Sequence, residues 1–88
     1  MNITFHPNFK KSYKKRFIGN IKLIKQFNER ITIFIDDIGN PTLHNHHLTG
    51  SKREFWSFSI TGDIRVIYKI ISNNEVQFYD IGSHNQVY

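Results

Sequence analysis

The sequence of 88 residues contains no cysteine. Disulfide scaffolds, cysteine-based zinc sites and thiol nucleophiles are therefore excluded, and the absence fits a reducing compartment. The sequence also has no apolar run near the roughly 20 residues that a membrane-spanning helix needs. Its first residues lack the basic-then-apolar order of a signal peptide. We therefore expect a soluble cytoplasmic protein.

Acidic residues are few as well. Seven Asp and Glu against twelve Lys and Arg give a formal net charge of +5 at pH 7. This balance favours a polyanionic partner, which can be nucleic acid, an acidic protein or a membrane surface, and it does not choose among them. A chain of this length predicts one domain, residues 1–88. Its aromatic content of 15% places a large apolar area in few residues.

The chain opens with a predicted strand and helix. Asn2–Phe5 has the pattern of a short strand, and Pro7 suits the first turn of a helix. Phe9, Tyr13 and Phe17 recur every four residues, so they form one apolar stripe on that helix.

A second helix is predicted after Gly19-Asn20. The β-branched run 31–35 would also suit a strand, but the longer periodicity favours a helix that ends near Gly39 and Pro41. The apolar residues at helical spacing are Ile24, Phe27, Ile31, Phe34, Ile35 and Ile38.

The second half of the chain alternates apolar and polar residues in three segments. These are residues 54–60, 64–71 and 75–81, and they are separated by turns at 61–63 and 72–74. The expected fold is α+β, with an N-terminal strand, two helices and then a three-stranded antiparallel meander. The helices would pack on one face of a four-stranded sheet and leave the other face open.

A histidine-rich loop over residues 42–52 raises the question of a metal site. Two ligands from one loop can meet one ion, but a closed site needs further ligands at a recognisable spacing. No such spacing connects His44, His46 and His47 with His6 or His84. We therefore expect neither a metal ion nor another cofactor.

Arg65 is predicted to lie in the middle of a strand on the open face. Its planar guanidinium suits a phosphate, whereas the alternative is a surface ion pair with Asp63 or Glu54. His84 and Tyr88 follow the last strand and can return over the same face. There a His can exchange protons near neutral pH, and a Tyr can hydrogen-bond or stack on a base.

Three short motifs occur in a fixed order in the second half of the chain. They are HHLTG at residues 46–50, GDIRVIY at residues 62–68, and IGSH at residues 81–84, followed by the aromatic Tyr88. This set resembles the RelE/YafQ toxin family, whose elements run H-x-L-x-G, a G-D-x-R-like strand and G-[ST]-H. The resemblance covers residues 42–88 strongly, and residues 1–41 match in plan and basic charge.

The resemblance implies a toxin of a type II toxin–antitoxin system. Such a toxin would cleave mRNA on the ribosome without a metal ion, would be neutralised by a cognate antitoxin, and would have no membrane partner. By the same resemblance His46, Asp63 and His84 are proton-transfer or positioning groups. Arg65 would hold the scissile phosphate, and Tyr88 occupies the terminal aromatic position.

Further basic residues are candidate RNA ligands. Lys52 and Arg53 adjoin the histidine-rich loop and would assist Arg65 at the phosphate. The lysines of the first helix would bind ribosomal RNA or the antitoxin, although a solvated helix face explains them equally well. These lysines are Lys10, Lys11, Lys14 and Lys15.

The chain departs from the YafQ branch of the family at two positions. Ser59 stands where that branch has a catalytic His, and Ser can only hydrogen-bond near neutral pH. Arg65 stands where that branch has no Arg. The assignment of acid and base among His46, Asp63 and His84 therefore stays open.

Two other functions remain as alternatives. A ParE-like toxin shares the fold but poisons DNA gyrase, and the His and Arg residues at positions 46, 65 and 84 argue against it. A non-catalytic relative that binds an antitoxin or nucleic acid is supported by Ser59.

Overall fold

The computed structural model describes every residue from Met1 to Tyr88. Five strands and three α-helices make up the regular structure, and two short 3-10 turns lie at Pro41–Leu43 and Gly50–Lys52. In chain order the elements are β1 (Asn2–Phe5), α1 (Pro7–Phe17), α2 (Ile21–Asp36), β2 (His46–His47), β3 (Trp56–Ser59), β4 (Ile64–Ser72), β5 (Glu75–Ser83) and α3 (His84–Val87).

The sheet is mixed, with the strand order β1-β5-β4-β3-β2. β3, β4 and β5 form the predicted antiparallel meander, and β1 pairs with β5 in parallel. The sheet has five strands, and the predicted number of four was wrong by one. The additional strand is β2, which pairs antiparallel with β3 through His46 opposite Ser57 and His47 opposite Trp56. Two residues are too few to show the alternation by which a strand is recognised.

Side-chain caps fix the beginnings of both long helices. The His6 ring accepts a hydrogen bond from the Asn8 amide at 3.0 Å, and the Asn20 side chain accepts one from the Leu23 amide at 3.1 Å. α2 runs without a break through the β-branched run 31–35, as the longer periodicity predicted. No helix in the chain combines the length and the apolar character needed to cross a membrane.

Aromatic rings fill the space between the helices and the sheet. The Phe34 ring of α2 is fully buried and stacks on Phe58 with 4.5 Å between centroids. It meets Tyr68 and Phe78 edge-on, at 5.1 and 5.7 Å. Phe9 of α1 packs on the same Phe78 ring at 5.5 Å. Both long helices therefore cover one face of the sheet, and this leaves the opposite face for the groups described next.

Candidate functional site

The open face of the sheet carries a set of polar side chains. Directly paired residues of neighbouring antiparallel strands share a face, so the register of the strands defines two rows across it. One row contains His46, Ser57, Ile67 and Asp80, and the next contains Ser59, Arg65 and Gly82. The Ser57 and Ser59 side chains are almost fully buried, with 0% and 3% exposed.

Tyr88 connects three groups on this face. Its hydroxyl hydrogen-bonds with the Ser57 hydroxyl and lies 3.4 Å from Nε2 of His46. Its ring meets the His84 ring edge-on, with 4.3 Å between centroids. The structure therefore brings His46 to His84 and Tyr88, although His46 lies far from these two residues in the sequence. We call His46, Ser57, His84 and Tyr88 the tyrosine cluster.

The short helix α3 brings His84 and Tyr88 back over the sheet. It begins with a capping box, in which the Ser83 amide donates to Oε1 of Gln86 at 2.9 Å. The His84 amide donates to the Asp63 carbonyl at 3.1 Å, which ties α3 to the turn between β3 and β4. This helix was not predicted, because four residues carry no helical period.

Two further contacts hold α3 against the sheet. Nζ of Lys52 donates to the Val87 carbonyl at 2.6 Å. Gly82 allows α3 to approach closely, because a Cβ there would lie 3.0 Å from Oε1 of Gln86 and 3.2 Å from Cγ1 of Val87. Lys52 was predicted to contact RNA, and in the structure it binds the backbone of α3 at Val87.

Hydrogen bonding defines the tautomer of His46. Its Nδ1 lies 2.9 Å from the His44 carbonyl oxygen. A carbonyl oxygen can only accept, so Nδ1 carries the proton, and in the neutral ring Nε2 has a free lone pair. This lone pair faces the Tyr88 hydroxyl. His46 is thereby arranged to accept a proton at Nε2.

Asn45 and Tyr68 fix the backbone beside His46. The Tyr68 hydroxyl donates to Oδ1 of Asn45 at 2.8 Å, and Nδ2 of Asn45 donates to the Ile38 carbonyl at 3.2 Å. Burial raises the pKa of Tyr68 to about 12. Tyr68 therefore remains a neutral donor at physiological pH. Neither Asn45 nor Ser57 was predicted as a site residue, because a single amide or hydroxyl gives no pattern in the sequence.

Arg65 lies in the row next to the tyrosine cluster. Its Nη1 donates to the Ser59 hydroxyl and its Nη2 donates to the Gly62 carbonyl at 3.3 Å, while Nε is buried without a hydrogen-bond partner. The alternative ion pair with Asp63 or Glu54 does not form, since the one ion pair of the chain joins Glu54 to Lys69 at 3.7 Å. Ser57 of the tyrosine cluster and Ser59, which binds Arg65, are two residues apart on β3. They are therefore separated by about 7 Å along the strand.

The remaining predicted residues lie at the edge of this arrangement or outside it. The Asp63 side chain is exposed at the turn and makes no hydrogen bond, although its carbonyl binds the His84 amide. Arg53 is exposed, and its carbonyl accepts a hydrogen bond from Nε2 of His47. The predicted lysines of α1 are all exposed, and one of them, Lys15, lines a pocket together with Asp80 and with Gln86 and Val87 of α3. These lysines are Lys10, Lys11, Lys14 and Lys15.

The imidazoles of the histidine-rich loop diverge. His46 faces Tyr88, whereas the His47 ring stacks on Trp56 with 4.7 Å between centroids. No group of three or more His, Asp or Glu side chains comes together in a geometry that could hold a metal ion. The arrangement thus consists of two imidazoles, a phenol that lies close to both of them and a guanidinium one row away.

Three solved structures share this architecture. A copper-bound mutant toxin from Helicobacter pylori superposes with a TM-score of 0.81 at 20% identity, over 100% of this chain and 99% of that one. The DinJ-YafQ complex from E. coli gives 0.78 at 19% identity, over 99% and 97%. A YoeB/ParE toxin from Agrobacterium tumefaciens gives 0.79 at 15% identity, over 96% and 99%. At these identities the similarity shows the fold alone.

The sequence as a whole identifies the family. None of the curated protein sequences matches the chain. The family model for YafQ, a bacterial toxin of type II toxin–antitoxin systems, matches residues 1–88 and so includes the first 41 residues, where the motifs gave little information. The chain therefore belongs to the YafQ family of toxins of type II toxin–antitoxin systems.

Proposed function

We propose that this toxin is an endoribonuclease that cleaves mRNA on the ribosome. The observation that carries the proposal is the tyrosine cluster, in which His46 and His84 both lie close to Tyr88, on an open sheet face next to Arg65. RNA cleavage by internal transesterification needs a base, an acid and a cation, and two imidazoles and a guanidinium can fill these three roles.

The reaction begins with removal of the proton from a ribose 2′-OH. The oxygen then attacks the adjacent phosphorus, the bond from phosphorus to the 5′-oxygen breaks, and that oxygen takes up a proton. The products are a 2′,3′-cyclic phosphate and a 5′-hydroxyl. His46 is the base, because its Nδ1 donates to the His44 carbonyl and leaves Nε2 as the acceptor, and His84 is the acid. Each proton transfer contributes roughly 10²–10⁴-fold to the rate.

Arg65 stabilises the negative charge that builds up on the phosphate. Ser59 occupies the position where the YafQ branch has a catalytic His, and its hydroxyl accepts a hydrogen bond from Arg65. We assign Ser59 the role of positioning the guanidinium. Asp63 has a positioning role as well, because its carbonyl binds the amide of His84 at the start of α3. Lys52 and Arg53 add positive charge for the RNA strand.

The partners follow from the charge and from a relative. One E. coli YafQ structure is a complex with DinJ, and we propose that this chain likewise binds a cognate antitoxin. The exposed lysines of α1 supply positive charge for an acidic antitoxin segment or for ribosomal RNA. Binding to RNA should weaken as the salt concentration rises, because it releases counterions.

Cleavage of translated mRNA tests the proposal. The purified wild type, Arg65→Ala and His84→Ala are each added to a translation reaction, and the 5′ ends of the mRNA are mapped. Lys25→Ala serves as a control, because Lys25 is an exposed cation of α2. We expect cleavage with 5′-hydroxyl and cyclic phosphate ends by the wild type and the control, and a loss of at least about 100-fold in both site variants.

Intact mRNA with a folded wild type would refute the proposal. In that case a supercoiling assay with DNA gyrase separates a ParE-like toxin from a non-catalytic relative. The first would inhibit the gyrase, and the second would bind its antitoxin without either activity.

A further inference from the structure

A polar pocket lies beside Arg65 at the end of β3. Its volume is about 310 Å³, and none of its lining residues is hydrophobic or acidic. Two arginines, Arg30 of α2 and Arg65 of β4, line it together with His44, Thr42 and the turn after β3. Arg30 was not predicted as a site residue.

Both arginines are held in place through Ser59. Nη1 of Arg30 donates to the Ser59 carbonyl at 3.1 Å and to the Thr42 carbonyl at 2.8 Å, whereas Arg65 donates to the Ser59 hydroxyl. A guanidinium has five N–H donors. The protein contacts of Arg30 use Nη1 alone, and Nε of Arg65 has no partner. Nε of Arg65 is buried, so the donors that remain are Nη2 of Arg30 and the second N–H of each terminal nitrogen of Arg65.

Two guanidinium groups around one pocket repel each other, and no carboxylate in the lining offsets that repulsion. Neutral lining groups such as the Thr61 and Thr42 hydroxyls can hydrogen-bond but cannot compensate the charge. An anion that fits between planar guanidiniums is the ligand that relieves it, and phosphate matches the fork geometry of arginine. The chemistry of the pocket thus points to a phosphate group.

We propose that this pocket is a second phosphate subsite, which binds the RNA phosphate next to the scissile one. The inference rests on the proposed ribonuclease function. Arg65 connects the two sites, because it lines the pocket and lies one row from the tyrosine cluster. An RNA strand that passes over Arg65 brings successive phosphates to the two sites. Arg30 is then the substrate-binding residue that sets the strand's position along the sheet.

The test uses a short RNA and NMR titration of the full chain. The probe is a trinucleotide with 2′-O-methyl riboses, which cannot be cleaved, and versions in which one linkage is an uncharged methylphosphonate. We expect the wild type to show chemical-shift changes at the amides of Thr61, Gly62 and His44. Arg30→Gln should bind about tenfold more weakly. One methylphosphonate position should weaken the wild type by the same factor and leave Arg30→Gln unaffected.

A second pair of variants covers the case in which Arg30→Gln fails to fold. Thr42→Glu places a carboxylate at the exposed rim of the pocket, where the backbone bond from Arg30 to the Thr42 carbonyl can persist. Thr42→Gln is the neutral match. We expect Thr42→Glu to bind the probe about tenfold more weakly than Thr42→Gln. Lys25→Gln removes one charge elsewhere on α2 and should bind as the wild type does.

Several outcomes would overturn the inference. These are equal binding by Arg30→Gln and Lys25→Gln, equal binding by the two Thr42 variants, a response of Arg30→Gln to every methylphosphonate position that equals the response of the wild type, or no shift changes at the pocket amides. Inorganic phosphate as a second probe tests the source, because shifts with phosphate and none with RNA would indicate a free-anion site. Failure of the ribonuclease proposal looks different, since the wild type would then bind the probe at the pocket and leave translated mRNA intact.

Discussion

Replacement of Tyr68 by Phe should invert the order of stability between neutral and alkaline pH. At neutral pH the change keeps the buried ring and removes the hydroxyl that donates to Asn45 at 2.8 Å. The Asn45 oxygen is left in a partly buried place without this donor, which costs about 1–2 kcal/mol. The wild type is therefore the more stable protein at pH 8.

At alkaline pH the same hydroxyl makes the wild type less stable than the variant. Burial raises the pKa of Tyr68 from 10.0 to about 12, so above pH 10 the unfolded chain loses this proton while the folded chain retains it. The stabilising contribution of the Tyr68 proton to the free energy of unfolding is present in full below pH 10, and it is lost as the pH rises towards 12. About 2 kcal/mol is lost by pH 11.5, and about 3 kcal/mol in total at higher pH. The Tyr68→Phe variant has no such loss, because a phenyl ring does not titrate.

Urea unfolding of both proteins at a series of pH values from 8 to 11.5 measures the difference. Other groups titrate in this range, but they are common to both proteins and cancel in the comparison. We expect the difference in unfolding free energy to fall from about 1–2 kcal/mol in favour of the wild type to zero near pH 11 and then to change sign. A difference that stays constant with pH would refute the assignment of the raised pKa to burial of Tyr68.

Three further predictions concern packing and the site. Phe34→Ala removes the buried ring that contacts Phe58 and should lower the unfolding free energy in urea by about 3–5 kcal/mol; a loss below about 1 kcal/mol would contradict the described core. Tyr88→Phe removes the hydroxyl between Ser57 and His46, and should reduce mRNA cleavage about tenfold while stability falls by only about 1 kcal/mol; unchanged cleavage would exclude a role for that hydroxyl. Gly82→Ala should displace α3, and it should lower cleavage without abolishing binding of the antitoxin. An unchanged His84 imidazole resonance in NMR spectra would contradict the displacement of α3.

The helices and the meander were predictable because each contains several repeats of its own period. α2 is the clearest case: residues 31–35 favour a strand locally, but Phe27 and Phe34 lie seven residues apart and both are buried. A seven-residue spacing completes two helical turns, so burial of these rings against the sheet determines the conformation of the residues between them.

The missing elements are the short ones, and their partners are far away in the sequence. β2 exists because His46 and His47 meet the edge of β3, and α3 exists because Val87 is buried and Lys52 binds its carbonyl. The same reason applies to the site. The motifs identified His46, Arg65, His84 and Tyr88, but the support from Ser57, Asn45 and Arg30 depends on tertiary contacts that have no local pattern.

The position of β5 has a consequence for the order in which a nascent chain can fold. β5 is the last strand in chain order, yet it lies inside the sheet between β1 and β4. Asn2 pairs with Glu75, so the first strand stays unpaired until almost the whole chain has been synthesised. Pairing over such separations is slow and leaves apolar surface exposed meanwhile. Because α3 follows β5, a chain whose β5 is still in the ribosomal tunnel cannot bring His84 and Tyr88 to His46.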